Sequence, residues 1–383
     1  MKKTPEKKAG KLSAAELVSL VNKKAGKKIV YDLNEDDPTK IEQWISTGST
    51  WLDCIVSRGS KTGIPVGRIT ELAGEESTGK SYMAAQIAAN AQRMGISVIY
   101  FDSEAAVTKE FLAKAGCNMD DLVFVPTTSV EQVLETVETF LKATDQQFLF
   151  IWDSVAMTPT TSDIEGDFNP QSSMAVKPRV LSKGIGKLID PIREAKCTFL
   201  ILNQLKLNIG VQGQHLTQSQ KWFTPGGKTL NYAYSLRIWL NKSRAKSSFV
   251  KDEKGFPIGS LVKCRLEKSR FGGQERTCEF QISWGDEVRI LDEESLVLAL
   301  QNSPYLKTGS WYTIIYDDGT EEKFRKDDWA TKYKTEEKFR NRVLELLDEE
   351  VVRKFADRTG NANDFYTQEP QEKMTIDDIV KGF

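Results

Sequence analysis

Gly74-Glu75-Glu76-Ser77-Thr78-Gly79-Lys80-Ser81 decides the fold of this chain. It matches GxxxxGK[ST] at every fixed position, follows the apolar run Arg68–Leu72 and opens a helix-patterned stretch at about 81–94. Strand, glycine-rich loop and helix in that order make a backbone nest whose N–H groups face phosphate oxygens, helped by the positive end of the helix. Lys80 is then placed to reach the β and γ phosphates of a nucleoside triphosphate, and Ser81 to hold Mg²⁺.

Working outward, strand and helix patterns alternate, which predicts a parallel α/β sheet. The expected strands are Arg68–Leu72, Ser97–Phe101, Phe148–Trp152 and Thr198–Leu202, with helices at about 81–94, 107–115, 129–143 and 179–195. Val130, Val133, Leu134, Val137, Phe140 and Leu141 give the third of these helices one apolar face. Beyond 230 the pattern turns to strands with shorter connections (Ser235–Leu240, Leu261–Leu266, Glu279–Ser283). From about 291 a small α+β region ends in a helix near 335–355. A helix at roughly 13–24, N-capped by Ser13, precedes the main body.

Open parallel sheets bind ligands beyond the carboxyl ends of their strands. Three strands end there in polar residues: Asp102-Ser103-Glu104, Asp153-Ser154 and Asn203-Gln204. Asp153 is the expected acidic partner of the metal shell. Glu104 suits a base that orients the attacking water, with Asp102 as its rival. Gln204 carries a neutral amide, able both to accept from water and to donate to phosphate.

The 383 residues include 53 Lys and Arg against 54 Asp and Glu, a net charge of -1, with 28% charged and 39% hydrophobic residues. This is the composition of a globular protein and excludes a disordered chain. No run approaches a membrane span, and Met1-Lys2-Lys3 lacks the apolar stretch of a secretory signal. The five cysteines are scattered and never spaced as CxxC, which argues against a disulfide framework or zinc site and predicts a cytoplasmic protein. A single histidine, His215, excludes a multi-histidine metal centre. Charge is uneven along the chain: residues 1–28 hold nine lysines and two glutamates, and 241–276 hold ten basic and four acidic side chains. Residues 205–229 contain Lys206, Lys221 and Lys228 with no acid. Such local excess is the electrostatic form of a polyanion site.

Taken together, Ile45-Ser46-Thr47-Gly48-Ser49, Leu52-Asp53, the phosphate loop, Asp102-Ser103-Glu104, Asp153-Ser154-Val155-Ala156, Ile164-Glu165-Gly166, Asn203-Gln204 and Pro225-Gly226-Gly227 resemble the RecA-type recombinases in order and spacing. Both bacterial RecA and a UvsX-like bacteriophage homologue fit, over roughly residues 13–355. The resemblance implies a RecA-type P-loop ATPase core at 46–290 with a mostly parallel central sheet. It adds an N-terminal helical oligomerisation segment at 1–45, a small α+β domain at 291–360 and a flexible tail at 361–383. It implies a DNA-dependent ATPase, converting ATP and water to ADP and phosphate. The enzyme would form a helical homo-oligomer on single-stranded DNA and exchange that strand with homologous double-stranded DNA. Single-strand-binding and mediator proteins remain open as partners. A mediator or paralogue that exchanges no strands, and a ring helicase on the same core, are the alternative readings.

Position by position, the resemblance makes Glu104 the water-activating carboxylate and Gln204 the group sensing the γ-phosphate. ATP and Mg²⁺ fall to Gly74, Glu75, Glu76, Ser77, Thr78, Gly79, Lys80, Ser81, Tyr82 and Asp153. Thr108 and Phe111 stand on the adenine side, where bacterial RecA has an acid and a tyrosine. DNA falls to Met174, Arg179 and Ser182 at a first loop (about 158–177), and to Lys206, Ile209, Gly210, Gly226 and Gly227 at a second (205–228). Amides and cations would hold phosphates there while Met174 and Ile209 insert between bases. Trp222 and Phe223 either stack on bases or pin the loop. Lys268 and Arg270 would cross the subunit interface to the neighbour's γ-phosphate.

Overall fold

The structure is a computed structural model that describes residues 13–26, 28–166, 176–208, 221–242, 248–284 and 288–352. Two compact units divide the chain, Met1–Trp44 and Ile45–Phe383. In the first, helix α1 (Ala14–Ala25) starts on a capping box: Ser13 Oγ accepts from Glu16 N, and Glu16 Oε2 accepts from Ser13 N at 2.8 Å. The helix ends on Gly26 in the left-handed region, φ 67°. Leu17 and Leu20 stay exposed on it. Asn22 binds the following segment, accepting from Ile29 N and Val30 N and donating to Val30 O.

The second unit opens with helix α2 (Thr50–Val56), which precedes a large sheet. Strand β1 (Ile69–Gly74) feeds the phosphate loop and helix α3 (Lys80–Arg93). Then come β2 (Ser97–Asp102), α4 (Lys109–Lys114), β3 (Leu122–Pro126), α5 (Val130–Ala143), β4 (Phe148–Asp153), α6 (Thr161–Glu165), α7 (Val176–Glu194) and β5 (Thr198–Gln204). A short helix α8 (Lys228–Ala233) leads to β6 (Leu236–Lys242), β7 (Phe249–Lys251), β8 (Pro257–Ser269), β9 (Thr277–Trp284) and β10 (Val288–Leu291). The ten strands lie in the order β10-β9-β8-β6-β1-β5-β4-β2-β3, with β7 on the side of β8. From β6 across to β3 every pairing is parallel; from β6 outward through β8 to β10 the pairings are antiparallel.

Parallel strands need crossover helices, which cover both faces, so their strands are apolar throughout. All six residues of β1 and of β4 are buried accordingly. On one face Phe101, Phe150, Trp152 and Phe199 pack under α5 (Val133, Val137) and α7 (Ile185, Leu188). The buried alanines of α3, among them Ala84, Ala85 and Ala88, belong to the helix that the phosphate loop opens.

The four parallel strands predicted from sequence run further than expected, to Gly74, Asp102, Asp153 and Gln204, so Asp102, Asp153 and Gln204 still belong to the strands. Strand β3 has no counterpart in the sequence reading. Its side chains are half-buried or exposed, Val123 and Phe124 included, and only its parallel pairing with β2 at the sheet edge makes it a strand. Helix α4 is shorter than expected because Thr108 caps it, accepting from Phe111 N.

After the sheet come α9 (Asp292–Ala299) and three antiparallel strands, β11 (Leu306–Lys307), β12 (Trp311–Ile315) and β13 (Glu321–Arg325). Helices α10 (Trp329–Thr335) and α11 (Glu337–Leu346) follow, and α11 runs into a wide turn at Leu347–Val351. Tyr312, Phe324, Trp329 and Phe339 form the core of this region through edge-on ring contacts such as Phe324–Phe339 at 5.2 Å. No helix of the described residues is long and apolar enough to cross a membrane.

Candidate active site

The phosphate loop sits where β1 passes into α3. Gly79 takes φ 89° at the helix start, and a Cβ there would fall 2.4 Å from Ile282 Cδ1. At Gly74 a Cβ would meet Thr78 Oγ1 at 2.4 Å and the Leu240 carbonyl at 2.8 Å. Only glycine leaves this cradle open. Lys80 Nζ rests on the carbonyls of Gly74 (3.2 Å) and Glu75 (2.9 Å). Burial lowers its pKa against the opposing pull of Asp153, Glu104 and Glu76. Ser81 Oγ donates to Asp153 Oδ2 at 2.7 Å, and Tyr100 OH donates to the same oxygen at 2.9 Å. Burial nevertheless raises the Asp153 carboxyl above its ordinary range. A glycine cradle beside a paired serine hydroxyl and buried carboxylate fits a triphosphate with its divalent cation: the cradle could supply amides and Lys80 positive charge, and Ser81 and Asp153 offer oxygens to a cation.

The sheet register brings the other strand ends to this cradle. Gly74 lies beside Gln204, and Asp102 beside Asp153. Asp102 is buried, and its two oxygens accept from the backbone of Glu104 (2.9 Å) and Val107 (3.2 Å), so it caps its own loop. Glu104 is exposed and accepts from Ser154 Oγ at 2.6 Å. Phe111 meets Tyr82 edge-on at 4.9 Å. Alongside lies a pocket of about 250 Å³ lined by Ser77, Gly79, Tyr82, Lys242, Ile282 and Trp284, among others. Lys242 Nζ stands over the Trp284 ring at 5.7 Å. Sequence reading missed Lys242 and Trp284, which reach the cradle only because β6 and β9 fold onto its side of the sheet.

The long connection after β5 is closed at its neck. Lys206 and Leu207 pair antiparallel with Phe223 and Trp222. Trp222 packs against Ala73, Leu205 and Trp239, which pins the loop, while Phe223 is exposed. Gly226 (φ 115°) and Gly227 (φ 87°) turn the chain into α8. Beneath the turn is a buried polar network. Arg237 Nε donates to Glu71 Oε2 at 2.6 Å and its Nη2 to Thr224 Oγ1 at 3.0 Å. Asn203 Nδ2 donates to Glu71 Oε1 and to the Pro225 carbonyl, both at 3.0 Å. The loop's exit is thereby tied to the strand that ends in Gln204. Arg179 is exposed and Ser182 half-buried on α7, and Lys206 is exposed. Met174, Ile209, Gly210 and His215 lie outside the described residues.

A family profile described as the RecA N-terminal domain matches residues 12–289. The chain belongs to the RecA family. It is 29% identical to Protein RecA of Haemophilus ducreyi over 367 residues, 94% of this chain and 93% of that one. It is 30% identical to Protein RecA of Pseudomonas savastanoi pv. phaseolicola over 304 residues, 79% and 81% of the two chains. Its place is therefore among the recombinases of DNA recombination and repair.

Within this RecA-family core, Lys268 and Arg270 lie away from the chain's own phosphate loop. Lys268 Nζ donates to the carbonyl of Asn231 at 2.6 Å, and Arg270 Nη2 to that of Tyr232 at 2.7 Å. Both thus rest on the negative end of α8, directly after the Gly226-Gly227 turn. Burial, with Arg270 and Arg237 nearby, brings the Lys268 ammonium down to about 8.

Proposed function

We propose that the chain is a DNA-dependent ATPase that assembles as a helical filament on single-stranded DNA and pairs it with a homologous duplex. The observation carrying this reading is that the phosphate cradle and the long loop share one rigid base. Gly74 and Gln204 are register neighbours, and Asn203, next to Gln204, holds the loop exit at Pro225. A change at a bound γ-phosphate sensed by Gln204 therefore reaches the loop through one peptide unit.

In this reading the α3 amides and Lys80 bind the triphosphate, and the Trp284 pocket takes the base by stacking. A magnesium ion on Ser81 and Asp153 would neutralise phosphate charge. Glu104 orients the attacking water and accepts its proton, held for that task by the Ser154 hydroxyl. Asp102 is already occupied by backbone amides. Lys268 and Arg270 act in trans on a neighbour's γ-phosphate, so that assembly switches hydrolysis on. Arg179, Ser182, Lys206 and the Gly226-Gly227 turn, together with Met174, Ile209 and Gly210, serve DNA. Five buried free thiols suit a reducing cytoplasm.

Glu104→Gln tests the assignment. It should bind a fluorescent ATP analogue normally and lose turnover by about 10²–10⁴-fold, the usual worth of a positioned base. Wild-type turnover in Glu104→Gln, with loss in Asp102→Asn, would give the role to Asp102. Electron microscopy with single-stranded DNA and a non-hydrolysable ATP analogue tests assembly: continuous helices are expected, and closed rings or short decoration would count against the filament.

A further inference from the structure

Helix α2 ends with unsatisfied carbonyls, as every helix does, and in this chain the β8–β9 hairpin meets them. Arg276 donates from Nη1 to the carbonyls of Cys54 (3.3 Å), Ile55 (3.4 Å) and Ser57 (3.2 Å). Ser269 Oγ donates to Val56 O at 2.6 Å. In return Arg58 donates from its backbone to Phe271 O (3.0 Å) and from Nε to Gly272 O (2.7 Å). The fit leaves no room at the turn: a Cβ on Gly273 would lie 2.1 Å from Ile55 O. Arg276 also donates from Nη2 to the carbonyl of Val351, in the last described turn after α11. A single guanidinium thus joins the negative end of α2, the C-terminal region and the hairpin. That hairpin also carries Lys268 and Arg270, whose side chains reach the end of α8.

We propose that Arg276 is a positioning residue for Lys268 and Arg270, fixing their hairpin against α2 and the C-terminal turn so that both cations face the neighbouring subunit's phosphate site. This rests on the trans reading of the two cations given above. The physical reason is geometric. The Ser269 and Arg58 contacts tie the hairpin tip to the end of α2 alone, about which it can still tilt. A planar five-donor group bonded to four carbonyls on two separate elements fixes its angle. A misplacement of ~1 Å at a transferring group costs rate without touching nucleotide binding.

The test uses full-length proteins mixed on single-stranded DNA. Lys80→Ala has intact cations and a dead phosphate loop; Lys268→Ala/Arg270→Ala has the reverse; Arg276→Gln is the variant in question. Arg276→Gln should bind a fluorescent ATP analogue normally and lose DNA-stimulated turnover by about tenfold or more. Arg276→Lys, which keeps one donor group, should recover part of it. Mixed with Lys80→Ala, Arg276→Gln should regain turnover, because well-placed cations then face its intact phosphate loop. Mixed with Lys268→Ala/Arg270→Ala it should not, since no subunit supplies well-placed cations. Wild-type turnover in Arg276→Gln overturns the proposal. So does equal recovery with both partners, or recovery with neither while Lys80→Ala and Lys268→Ala/Arg270→Ala complement each other. If those two fail to complement although they co-assemble, the trans reading itself falls and takes this one with it.

Discussion

Replacing Arg237 by methionine should destabilise the protein by about 3–5 kcal/mol, the cost of leaving a buried charge without its partner. Glu71 is 0% exposed and Arg237 7%. The substitution removes the 2.6 Å ion pair and the 3.0 Å bond to Thr224. It also removes a cation lying 5.6 Å from the Trp239 ring centre and 5.9 Å from that of Tyr234. Methionine keeps most of the apolar stem, so little of the loss is packing. What remains for the Glu71 carboxylate is one amide, Asn203 Nδ2 at 3.0 Å. Since domains hold only about 5–15 kcal/mol in all, the shift in urea midpoint is large and easily read. The double variant Glu71→Leu/Arg237→Met removes both charges and should return to within about 1–2 kcal/mol of wild type. Because Thr224 and Pro225 anchor the loop exit through this network, the single variant should also lose DNA stimulation of its ATPase while still binding nucleotide. A single variant within about 1 kcal/mol of wild type, or a double variant no more stable than the single, would refute the reasoning.

Three further outcomes are expected. Lys268, brought down to about 8, is charged below that pH and neutral above it. DNA-stimulated ATPase should therefore fall as pH rises through about 8, and Lys268→Arg, which does not titrate there, should flatten the decline. Asp53, buried and pushed up to about 7 from 3.8, accepts from Ser46 Oγ, Thr47 N and Thr47 Oγ1. Its folded form binds a proton that the unfolded chain releases, so its contribution to stability is full below the unfolded value and is lost as pH rises through about 7. Unfolding midpoints across that window should show the slope in wild type and not in Asp53→Asn. Gly74→Ala should lose at least about tenfold in nucleotide affinity by fluorescence titration, because the new methyl meets the Leu240 carbonyl, which cannot rotate away.

Much of the site was legible because its signals are local. The phosphate loop is eight consecutive residues, and the strand–helix alternation around it is a matter of period. The cap at Ser13 lies within three residues of the amide it accepts from. Two rival carboxylates on one loop were not separable by pattern. Asp102 and Glu104 differ only in what surrounds them: Asp102 folds onto its own backbone, whereas Glu104 meets the serine just past the end of β4, 50 residues on.

The sequence by itself determined a nucleotide-binding parallel α/β core, since glycines at Gly74 and Gly79, a lysine and a serine at fixed offsets leave few other uses for the segment. Strand order was left to the tertiary structure. Only because β1 lies between β5 and β6 does Glu71 meet Arg237, 166 residues away. Only because β9 joins the same sheet, beyond β8 and β6, does Trp284 line the pocket beside the cradle. Strand β3 owes its existence to the edge of β2 rather than to any apolar period of its own. Lys268 and Arg270 read in sequence as cations for a neighbour's γ-phosphate; their contact with the carbonyls closing α8 appears only when β8 is paired against β6. Local spacing fixes which groups are available, but backbone pairing between distant segments fixes which of them meet, and the energy of a buried contact depends on the meeting.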